Sequence, residues 1–244
     1  KMWNLKNTSP DLEKSNADIA ILPVGAIEQH DTHLPLGTDW MEADAIGEGI
    51  ARELNAYLLP ALPFSNSEAH ADFRGTVSLK HETLALVTED LVTCLFAQGF
   101  KKVVIVNLHG GNTILKIAVR KLNTNRKDGK VLLITPGTPP INELRDIFPD
   151  LDNDLHGGDY ETSLMLAIDE STVGKERHDH VPPGKSAEYF DYLPMSAMSK
   201  TGVWGKSSLA SREKGEKALA IVVKRYAEHI RDTFSQIEEA NQQE

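Results

Sequence analysis

Residues near the start of the chain concentrate side chains that bind divalent metals. The segment 28–39 follows a short apolar run and contains two carboxylates and two imidazoles, at Glu28, His30, His33 and Asp39. Glu28 and His30 are two positions apart, so an extended backbone directs both side chains to the same side. Carboxylate oxygens and imidazole nitrogens are the usual ligands of catalytic zinc and related ions. The segment therefore indicates a metal site of the kind that metallohydrolases use.

Two later clusters carry the same residue types. Residues 107–112 read NLHGGN and contain His109, directly after a second apolar run. Residues 156–163 read HGGDYETS and contain His156 and Glu161, where an apolar helix begins. In open α/β sheets, ligands gather at the carboxyl ends of the strands. We therefore expect the clusters that follow strands to converge in space.

Each cluster also has a simpler structural explanation. Asp39 could be no more than the N-cap of a helix beginning at Trp40, a role that Asp takes readily. His109 could be a hydrogen-bonded loop histidine in a glycine turn. Glu161 in the first turn of a helix would be favoured by the helix dipole. Three such clusters at corresponding positions are difficult to explain as separate caps and turns, which favours one shared metal site.

The elements that must position the clusters follow from the hydrophobic pattern. Short runs rich in β-branched residues alternate with segments whose apolar residues recur every three or four positions. This alternation predicts an α/β fold with a mostly parallel sheet covered by helices on both faces. The predicted strands are 19–24, 57–62, 102–107 and 131–135, and the predicted helices are 41–54, 82–96, 113–122, 156–168 and 211–237.

The rest of the chain is less regular. The stretches 136–154 and 169–209 contain glycine and proline and are long for loops of a compact domain; loops of that length commonly serve as lids or subunit contacts. We expect a single domain over residues 1–244, with an N-terminal extension at 1–17 and a polar tail at 238–244.

Charge and composition limit the partners. The chain of 244 residues has a net charge of −10 and a pI of about 5.4, which argues against nucleic acids and anionic membranes as partners. A single cysteine, Cys94, cannot form an internal disulfide and suits a reducing compartment. The sequence shows neither a signal segment nor a spanning apolar stretch. We therefore expect a cytoplasmic protein that acts on a small molecule.

The sequence does not indicate a protein nucleophile. Cys94 falls on the apolar side of the predicted helix 82–96, where a buried and inert thiol is expected. Ser163 does not lie in a GxSxG nucleophile elbow. A metal-activated water is the simpler choice, because zinc brings the pKa of bound water to roughly 7. His156 could accept a proton from this water and return it to a leaving nitrogen.

Several blocks of the sequence resemble one enzyme family. Residues 22–30 read LPVGAIEQH, and with HLPL at 33–36 and Thr38-Asp39 they resemble the signature of the creatininase (creatinine amidohydrolase) family. The resemblance covers roughly residues 18–230, nearly the whole chain. Later blocks that resemble the family are FRGTVSL at 73–79, NLHGGN at 107–112, HGGDYETS at 156–163, GVWG at 202–205 and EKG at 213–215.

This resemblance implies a fold, an assembly and a site. The family fold is a three-layer α/β/α sandwich, and the member that names the family is a hexamer, so we expect a homo-oligomer. The positions that match the family's metal ligands are Glu28, His30, Asp39 and His109. Among them, Asp39 matches the bridging ligand of a two-metal centre. His156 matches a histidine assigned to proton transfer, and Glu161 matches an active-site glutamate that acts as a ligand or orients one.

The sequence departs from the family pattern at positions that bear on the substrate. Members that cleave creatinine have a second-metal glutamate two residues after the metal-binding histidine, where this chain has Gly111. Glu161 is the candidate to replace that carboxylate; otherwise the second metal is absent. The stretch 150–155 lacks a tryptophan that helps those members close the site, so creatinine is not the expected substrate. Asp31-Thr32 replaces a Gly-Pro pair, which could alter the rigidity of the loop.

The combined interpretation is a metal-dependent amidohydrolase that cleaves a non-peptide C–N bond of the cyclic amide or formamide type. Zinc is the favoured ion, with manganese or iron as alternatives, at one or two ions per chain. Two other hypotheses stay open. One is a peptidase or a formamidopyrimidine deformylase that uses the same site, and the other is a non-catalytic protein that binds a metal or a metabolite.

Several further side chains have no role in this interpretation. The surface or structural histidines are expected to be His70, His81, His178 and His180. Of these, His70 is expected nearest to the site, because its segment follows the predicted strand 57–62. Trp204 is expected to line either the substrate pocket or an oligomer contact.

Overall fold

A parallel sheet of four strands forms the centre of the molecule in the computed structural model, which describes residues 1–241. Its strands are β1 Ile19–Val24, β2 Tyr57–Leu58, β3 Lys102–Asn107 and β4 Lys130–Ile134. Their order is β2-β1-β3-β4, and β1 pairs with β3 over its full length, from Ile19 opposite Lys102 to Val24 opposite Asn107. The β-branched residues of β1 and β3 suit the pleated, buried surface of such a sheet.

Helices cover both faces of this sheet. In the described part of the chain they are α1 Ser9–Glu13, α2 Thr38–Leu54, α3 His81–Ala97, α4 Ile114–Asn123, α5 Leu144–Ile147, α6 Asp159–Asp169, α7 Met195–Met198 and α8 Arg212–Asn241. Alternate residues of a strand point to opposite faces. Ile21 therefore joins the core formed with α2, α6 and α8, and Leu22 joins the core formed with α3 and α4. This arrangement confirms the predicted three-layer α/β/α sandwich.

Most predicted elements agree with the structure, and the largest difference is in the second strand. The pattern predicts a strand over 57–62, but it is regular only over Tyr57–Leu58. Pro60 interrupts it, since proline donates no hydrogen bond to a ladder. Val24 and Leu62 still form an isolated parallel bridge. The segment after β2 therefore runs beside the end of β1 without being a regular strand.

Both terminal regions contain more structure than the sequence pattern indicates. Trp3, within the predicted extension, is buried and bridges to Tyr57 at the edge of the sheet. α8 continues to Asn241, so the predicted polar tail 238–244 is helical in its first part. Residues 242–244 of that tail lie outside the described residues. No helix within residues 1–241 is long and apolar enough to span a membrane.

The predicted burial of Cys94 is wrong, because its side chain is exposed. α3 buries a stripe of residues at Leu84, Thr88, Val92 and Leu95. These positions are three or four apart, as expected for one face of a helix. Cys94 follows Val92 by two positions, which turns it away from this stripe. The thiol therefore lies on the solvent side of α3 rather than in the core.

The irregular stretch between α6 and α8, residues 170–211 and called the late stretch below, has a small core of its own. It contains β5 Asp179–His180, which pairs antiparallel with β6 Gly205–Lys206. Its buried cluster consists of Met195, Met198 and Trp204, and the partly buried ring of Phe190 packs against this cluster. Because these side chains pack against one another, the stretch is a structured cover rather than an extended linker.

Candidate metal centre

Four segments bring the predicted site residues together at the carboxyl end of the sheet. Glu28 and His30 follow β1, and His109 follows β3. Asp39 lies in the first turn of α2 and Glu161 in the first turn of α6. Parallel strands end at the same edge of a sheet, which explains why segments distant in sequence converge here. The suggestion that Asp39 is only an N-cap is wrong, since it lies inside the helix and offers its carboxylate to the cluster.

Glu28, Asp39 and His109 form one group that could hold a metal ion. Nδ1 of His109 lies 3.4 Å from Oε1 of Glu28 and 3.4 Å from Oδ2 of Asp39. All three residues are buried. An ion among these atoms would have one nitrogen ligand and two oxygen ligands, a set that zinc and manganese both accept.

His30, Asp39 and Glu161 form a second group. Nε2 of His30 lies 3.5 Å from Oδ1 of Asp39 and 3.8 Å from Oε2 of Glu161. Asp39 therefore faces His109 with one carboxylate oxygen and His30 with the other. A carboxylate placed between two ligand groups in this way is suited to bridge the ions of a two-metal hydrolytic site.

The buried polar atoms of both groups fit a divalent metal. Nδ1 of His30 donates to the carbonyl oxygen of Glu28 at 3.2 Å, and Nε2 of His109 donates to that of Asn66 at 2.7 Å. Since a carbonyl only accepts, the opposite ring nitrogen of each histidine keeps a lone pair for a metal when the imidazole is neutral. Within residues 1–241, the atoms left without a hydrogen-bond partner include Oε2 of Glu28, Nε2 of His30 and Oδ2 of Asp39.

Gly111 has a steric reason to be glycine. A Cβ at this position would lie 2.5 Å from the carbonyl oxygen of Asn66 and 2.5 Å from Nε2 of His109. The backbone therefore passes too close to the hydrogen bond between these residues for a side chain to fit. With no carboxylate at position 111, Glu161 is the acidic residue that faces His30 and Asp39.

Carboxylates raise the pKa of both histidines in these groups. Burial acts to lower the pKa of His30, but Asp39 and Glu161 outweigh this effect and raise it to about 10. Burial also acts to lower the pKa of His109, and Glu28 and Asp39 raise it to about 9. In the metal-free protein these imidazoles carry protons that balance the carboxylates, and a divalent ion would replace those protons.

The carboxylates themselves respond differently to the cluster. Burial is the largest influence on Glu28 and raises its pKa to about 7, although His109 opposes this effect. Burial also acts to raise the pKa of Asp39, but His30 and His109 hold it well below its ordinary value. Burial raises the pKa of Glu161, which His30 opposes. Asp39 is therefore the carboxylate that the cluster keeps most firmly ionised.

A second pair of histidines, His70 and His156, lies beside the same glutamate. Nδ1 of His156 is 3.6 Å from Oε1 of Glu28, and Nε2 of His70 is 3.7 Å from that oxygen. The two rings are 4.3 Å apart, and His156 also stacks on His30 at 4.1 Å. His156 thus reaches the cluster as the sequence predicts, and Glu28, His30 and His156 form a third group that could hold an ion.

This second pair is kept neutral by its surroundings. Burial lowers the pKa of His70 to about 3, and the nearby imidazoles of His109 and His30 add to this effect. Burial also lowers the pKa of His156 well below its ordinary value, with further contributions from His30 and His70. Phe190 stacks on His70 at 6.1 Å and covers it from the late stretch. His70 is therefore part of the site rather than a surface histidine.

Glu42 is a buried carboxyl group near the site that sequence reasoning missed. It lies on α2 three residues after Asp39, a spacing at which side chains are neighbours on a helix. Burial raises its pKa well above the ordinary value, and the charges of Glu161 and Asp39 add to this effect. Its Oε1 has no hydrogen-bond partner in the part of the chain that the structure describes. The spacing from Asp39 is the signal that identifies it.

His33 belongs to the first sequence cluster but is not in the metal groups found among residues 1–241. Its Nε2 lies 2.8 Å from Oγ1 of Thr162, and its Nδ1 lies 3.4 Å from a carboxylate oxygen of Asp31. The same carboxylate accepts a hydrogen bond from Nδ1 of His178 at 2.9 Å. These contacts attach the loop after β1 to α6 and to the late stretch.

The remaining residues singled out in the sequence have structural roles. Trp204 is 1% exposed and exchanges two backbone hydrogen bonds with His156, so an oligomer contact through its side chain is excluded. Nε2 of His180 donates to the carbonyl oxygen of Met198 at 3.0 Å. His81 is the half-buried first residue of α3, and its Nε2 lies 3.7 Å from a carboxylate oxygen of Glu68. Trp204 therefore acts on the site through the backbone of His156.

Known proteins similar to this chain identify its family. Residues 6–230 match the family model described as creatinine amidohydrolase. A creatinine amidohydrolase of Pseudomonas putida is 30% identical over 236 residues, which cover 88% of this chain and 90% of the relative. A mycofactocin precursor peptide peptidase of Mycobacterium tuberculosis (strain CDC 1551 / Oshkosh) is 29% identical over 232 residues, which cover 88% of this chain and 85% of the relative.

Solved structures of creatininase share the fold. A manganese form, described as Creatininase Mn, has a TM-score of 0.82 at 27% identity and covers 96% of this chain and 99% of that one. A mutant creatininase described as Zn-Zn type has a TM-score of 0.79 at 25% identity, with the same coverage of 96% and 99%. The family model and these likenesses together show that the chain belongs to the creatinine amidohydrolase (creatininase) family and is a hydrolase of carbon–nitrogen bonds.

Proposed function

We propose that this protein is a metal-dependent amidohydrolase that cleaves a non-peptide C–N bond of a small molecule, of the cyclic amide or formamide type. The observation that carries the proposal is the pair of candidate metal groups that share Asp39. Divalent ions bound there would polarise the substrate carbonyl and lower the pKa of a water, so that hydroxide is available near neutral pH.

The residues around the shared carboxylate have separate tasks in this proposal. One ion would be held by Glu28, Asp39 and His109, and the other by His30, Asp39 and Glu161. Asp39 suits the bridging position because its pKa is held well below the ordinary value by His30 and His109, against the effect of burial. Glu161 is oriented by the backbone N–H of Gly157, which donates to its carboxylate.

His156 handles the proton of the attacking water. Its low pKa keeps the imidazole neutral at pH 7, so that it can accept a proton. The paired backbone hydrogen bonds with Trp204 hold it in place. After the water attacks the carbonyl carbon, His156 returns the proton to the leaving nitrogen as the C–N bond breaks. General acid–base steps of this kind contribute about 10²–10⁴-fold to the rate.

Zinc is the proposed ion, with manganese or iron as alternatives. The candidate ligands are oxygen and nitrogen atoms without thiolate, and all three metals accept such a set. The likeness to creatininase structures described with manganese and with zinc supports the same choice.

The burial of the site favours a small substrate. Glu28, His30 and Asp39 are at most 2% exposed, whereas the side chain of Glu161 is 17% exposed. Glu161 is therefore the side from which a substrate would approach, and a site this buried suits a small amide better than a folded polypeptide. Creatinine is not the proposed substrate, because Gly111 and the stretch 150–155 depart from the creatinine-cleaving pattern.

Metal analysis and a substrate panel test the proposal. Protein purified without added metal should contain at least about one zinc, manganese or iron ion per chain. Hydrolysis is then measured with creatinine, formamidopyrimidine nucleotides, cyclic ureides and short peptides. We expect a formamide or cyclic amide to be cleaved. A metal-free, fully folded protein would contradict the proposal, and cleavage of peptides alone would favour a peptidase instead.

We also propose that the protein is a cytoplasmic homo-oligomer of single-domain chains, hexameric as the family resemblance implies. Several large apolar side chains are 40% to 48% exposed and would be covered by an interface, namely Leu36, Trp40, Phe64 and Val77. Sedimentation velocity should give a species several times heavier than the 26.9 kDa chain. A monomer at micromolar concentration would contradict this proposal.

A further inference from the structure

Gln29 lies between Glu28 and His30 in the chain and contacts both His70 and His156. It is 5% exposed, and its Nε2 lies 2.8 Å from Nδ1 of His70. Its backbone carbonyl oxygen lies 2.6 Å from Nε2 of His156. One residue therefore contacts a ring nitrogen of each histidine.

The orientation of the Gln29 amide follows from two partners of fixed polarity. Its Oε1 accepts a hydrogen bond from the backbone N–H of Asp31 at 3.1 Å. Its Nε2 donates to the carbonyl oxygen of Gly202 at 3.3 Å. Gly202 has a φ of +85°, and a Cβ there would collide with the amide, so this approach requires glycine. The amide nitrogen, rather than the oxygen, therefore faces His70.

His70 must accept a hydrogen bond from this amide. Nε2 of Gln29 has two hydrogens, one directed to Gly202 and one available to Nδ1 of His70. A neutral imidazole that accepts at Nδ1 carries its proton on Nε2. This Nε2 lies 3.7 Å from Oε1 of Glu28, so an N–H group borders the space beside that carboxylate.

His156 offers a hydrogen-bond acceptor, rather than a donor, to the same space beside Glu28. Its Nε2 lies 2.6 Å from the backbone carbonyl oxygen of Gln29, which can only accept, so the proton is on Nε2. The side-chain Nε2 of Gln29 lies 3.1 Å from the same ring nitrogen, but its two hydrogens are directed to Gly202 and His70, so this longer contact is not a hydrogen bond to His156. Nδ1 of His156 therefore has a free lone pair and lies 3.6 Å from Oε1 of Glu28. The His70 and His156 rings are 4.3 Å apart, so a donor and an acceptor stand side by side.

We propose that Gln29 is a positioning residue that makes His156 and His70 a complementary pair, with a lone pair on Nδ1 of His156 and an N–H on Nε2 of His70. The two rings act on different atoms when the substrate is bound. His156 takes a proton from the attacking water, and His70 donates a hydrogen bond to the carbonyl oxygen as it gains negative charge. This use of the pair rests on the proposed hydrolysis, whereas the proton positions do not.

The proton movements balance in this arrangement. The C–O bond forms as the water gives one proton to Nδ1 of His156, which becomes imidazolium and keeps its hydrogen bond to Gln29. The C–N bond then breaks, the proton passes to the leaving nitrogen, and His156 is neutral again. His70 keeps its proton throughout, and a donor of this kind contributes about 10²–10³-fold to the rate.

Nitrogen NMR of the zinc-loaded protein with ¹⁵N-labelled histidine rings tests the inference directly. Couplings from the ring carbon-bound hydrogens distinguish a protonated Nδ1 from a protonated Nε2, and the variants His70→Gln and His156→Gln assign the signals. We expect the proton on Nε2 of both rings. A proton on Nδ1 of either ring in the wild-type protein would overturn the inference.

Substitution of Gln29 separates its side chain from its backbone. In Gln29→Met the amide is lost, so the His70 signal should change from one tautomer to a mixture. The proton of His156 should stay on Nε2, because its 2.6 Å contact with the backbone carbonyl remains when the 3.1 Å contact with the amide is lost. In Gln29→Glu, a carboxylate that only accepts should draw the proton of His70 onto Nδ1. An unchanged His70 signal in both variants would overturn the inference.

A matched glutamine variant distant from the site is the control for the Gln29 substitutions. Gln98→Met, at the exposed end of α3, should leave both signals unchanged. If neither Gln29 variant folds, the wild-type tautomers alone decide the inference. Protons on Nε2 of both rings in a protein that hydrolyses no amide would reject the proposed function and leave the proton assignment standing. The wrong tautomers in an active enzyme would reject the proton assignment alone.

Discussion

The site contains two pairs of buried histidines whose protonation the protein controls in opposite directions. In the pair of His30 and His109, carboxylates overcome burial and raise the pKa to about 10 and about 9. In the pair of His70 and His156, burial lowers the pKa, to about 3 for His70. All four residues are at most 5% exposed, so burial alone cannot explain the difference.

The pKa values of the two pairs differ because different groups face the ring nitrogen that has no hydrogen bond to the backbone or to Gln29. His30 and His109 turn that nitrogen toward Asp39, which favours a positive charge, either a proton or a metal ion. The free nitrogens of His70 and His156 instead lie 3.7 and 3.6 Å from Glu28, whose own pKa burial raises to about 7. Neighbouring imidazoles also disfavour a positive charge on each ring, those of His109 and His30 for His70 and those of His30 and His70 for His156. One pair is therefore suited to hold metal and the other to handle protons in the neutral state.

Loss of the shared carboxylate should have the largest effect, because it disables the metal-binding pair. In Asp39→Asn we expect turnover to fall by more than about 10³-fold, beyond the loss from one oxyanion donor. Bound metal should also decrease, while the circular-dichroism spectrum stays nearly unchanged. Metal analysis and turnover check the two effects together. Asp44→Asn, on the same helix outside the metal groups, should behave as wild type; full activity in Asp39→Asn would exclude the site.

Loss of the proton acceptor should reduce turnover without releasing metal. His156→Gln keeps a polar group near Gln29 but cannot take a proton, so we expect a decrease of about 10²–10⁴-fold. Zinc content, measured on the same preparation, should equal that of the wild type. His229→Gln on α8 is the matched histidine control. Zinc loss in His156→Gln would mean that His156 is a ligand and that the two pairs are not separate.

Zinc affinity should increase with pH, because the metal displaces protons from His30 and His109. In the metal-free protein His30 and His109 stay protonated up to about pH 10 and about pH 9. Below these values each displaced proton makes the apparent affinity rise by about tenfold per pH unit. The affinity should level off above about pH 10. Calorimetry in buffers of different ionisation enthalpy measures the protons released, and zinc binding without proton release would contradict the raised pKa values.

Loss of the contact between Asp31 and His178 should have the smallest effect of these changes, and that effect is on stability, since His178 is partly exposed. The hydrogen bond to Asp31 raises the pKa of His178. Its stabilisation is therefore complete below the unfolded pKa of about 6.5 and is lost as the pH rises through the folded value. Asp31 has a φ of +61°, which glycine tolerates, so Asp31→Gly removes the carboxylate without straining the backbone. In thermal unfolding, the variant should be less stable than the wild type at about pH 6, and this difference should become smaller by about pH 9.

The control for this variant is another residue with a left-handed backbone. Asn16 has a φ of +53° and is exposed, so Asn16→Gly reports the cost of a glycine without the loss of an ion pair. An equal loss of stability in Asp31→Gly at both pH values, after this correction, would show that the His178 contact does not depend on charge.

The pair of His30 and His109 could be predicted from the sequence much better than the pair of His70 and His156. His30 and His109 follow β-branched runs, and the carboxyl ends of parallel strands converge by topology. The place of His70 depends instead on the path of the loop after β2 and on a contact with Gln29 from 41 positions away. Sequence periodicity has no information on such a contact. Glu42 was within reach of prediction, because its spacing from Asp39 is a regular helical one.

The fold shows the same distinction between local pattern and tertiary packing. β1 and β3 agree with the predicted 19–24 and 102–107, because a buried parallel strand is a continuous apolar run. The burial of Cys94 was predicted wrongly, since α3 has apolar residues on more than one side and only packing decides which side is covered. The late stretch forms its core around Trp204, which no local spacing indicates.

The zinc content of the folded chain tests the central claim most directly. Native mass spectrometry of zinc-loaded protein should give about two zinc ions per chain, as a two-metal site shared by Asp39 requires. Glu161→Gln, which weakens only the group with His30, should give about one, and Asp44→Asn should keep the wild-type number. A folded wild-type protein without zinc, or an undiminished zinc content in Glu161→Gln, would contradict the account.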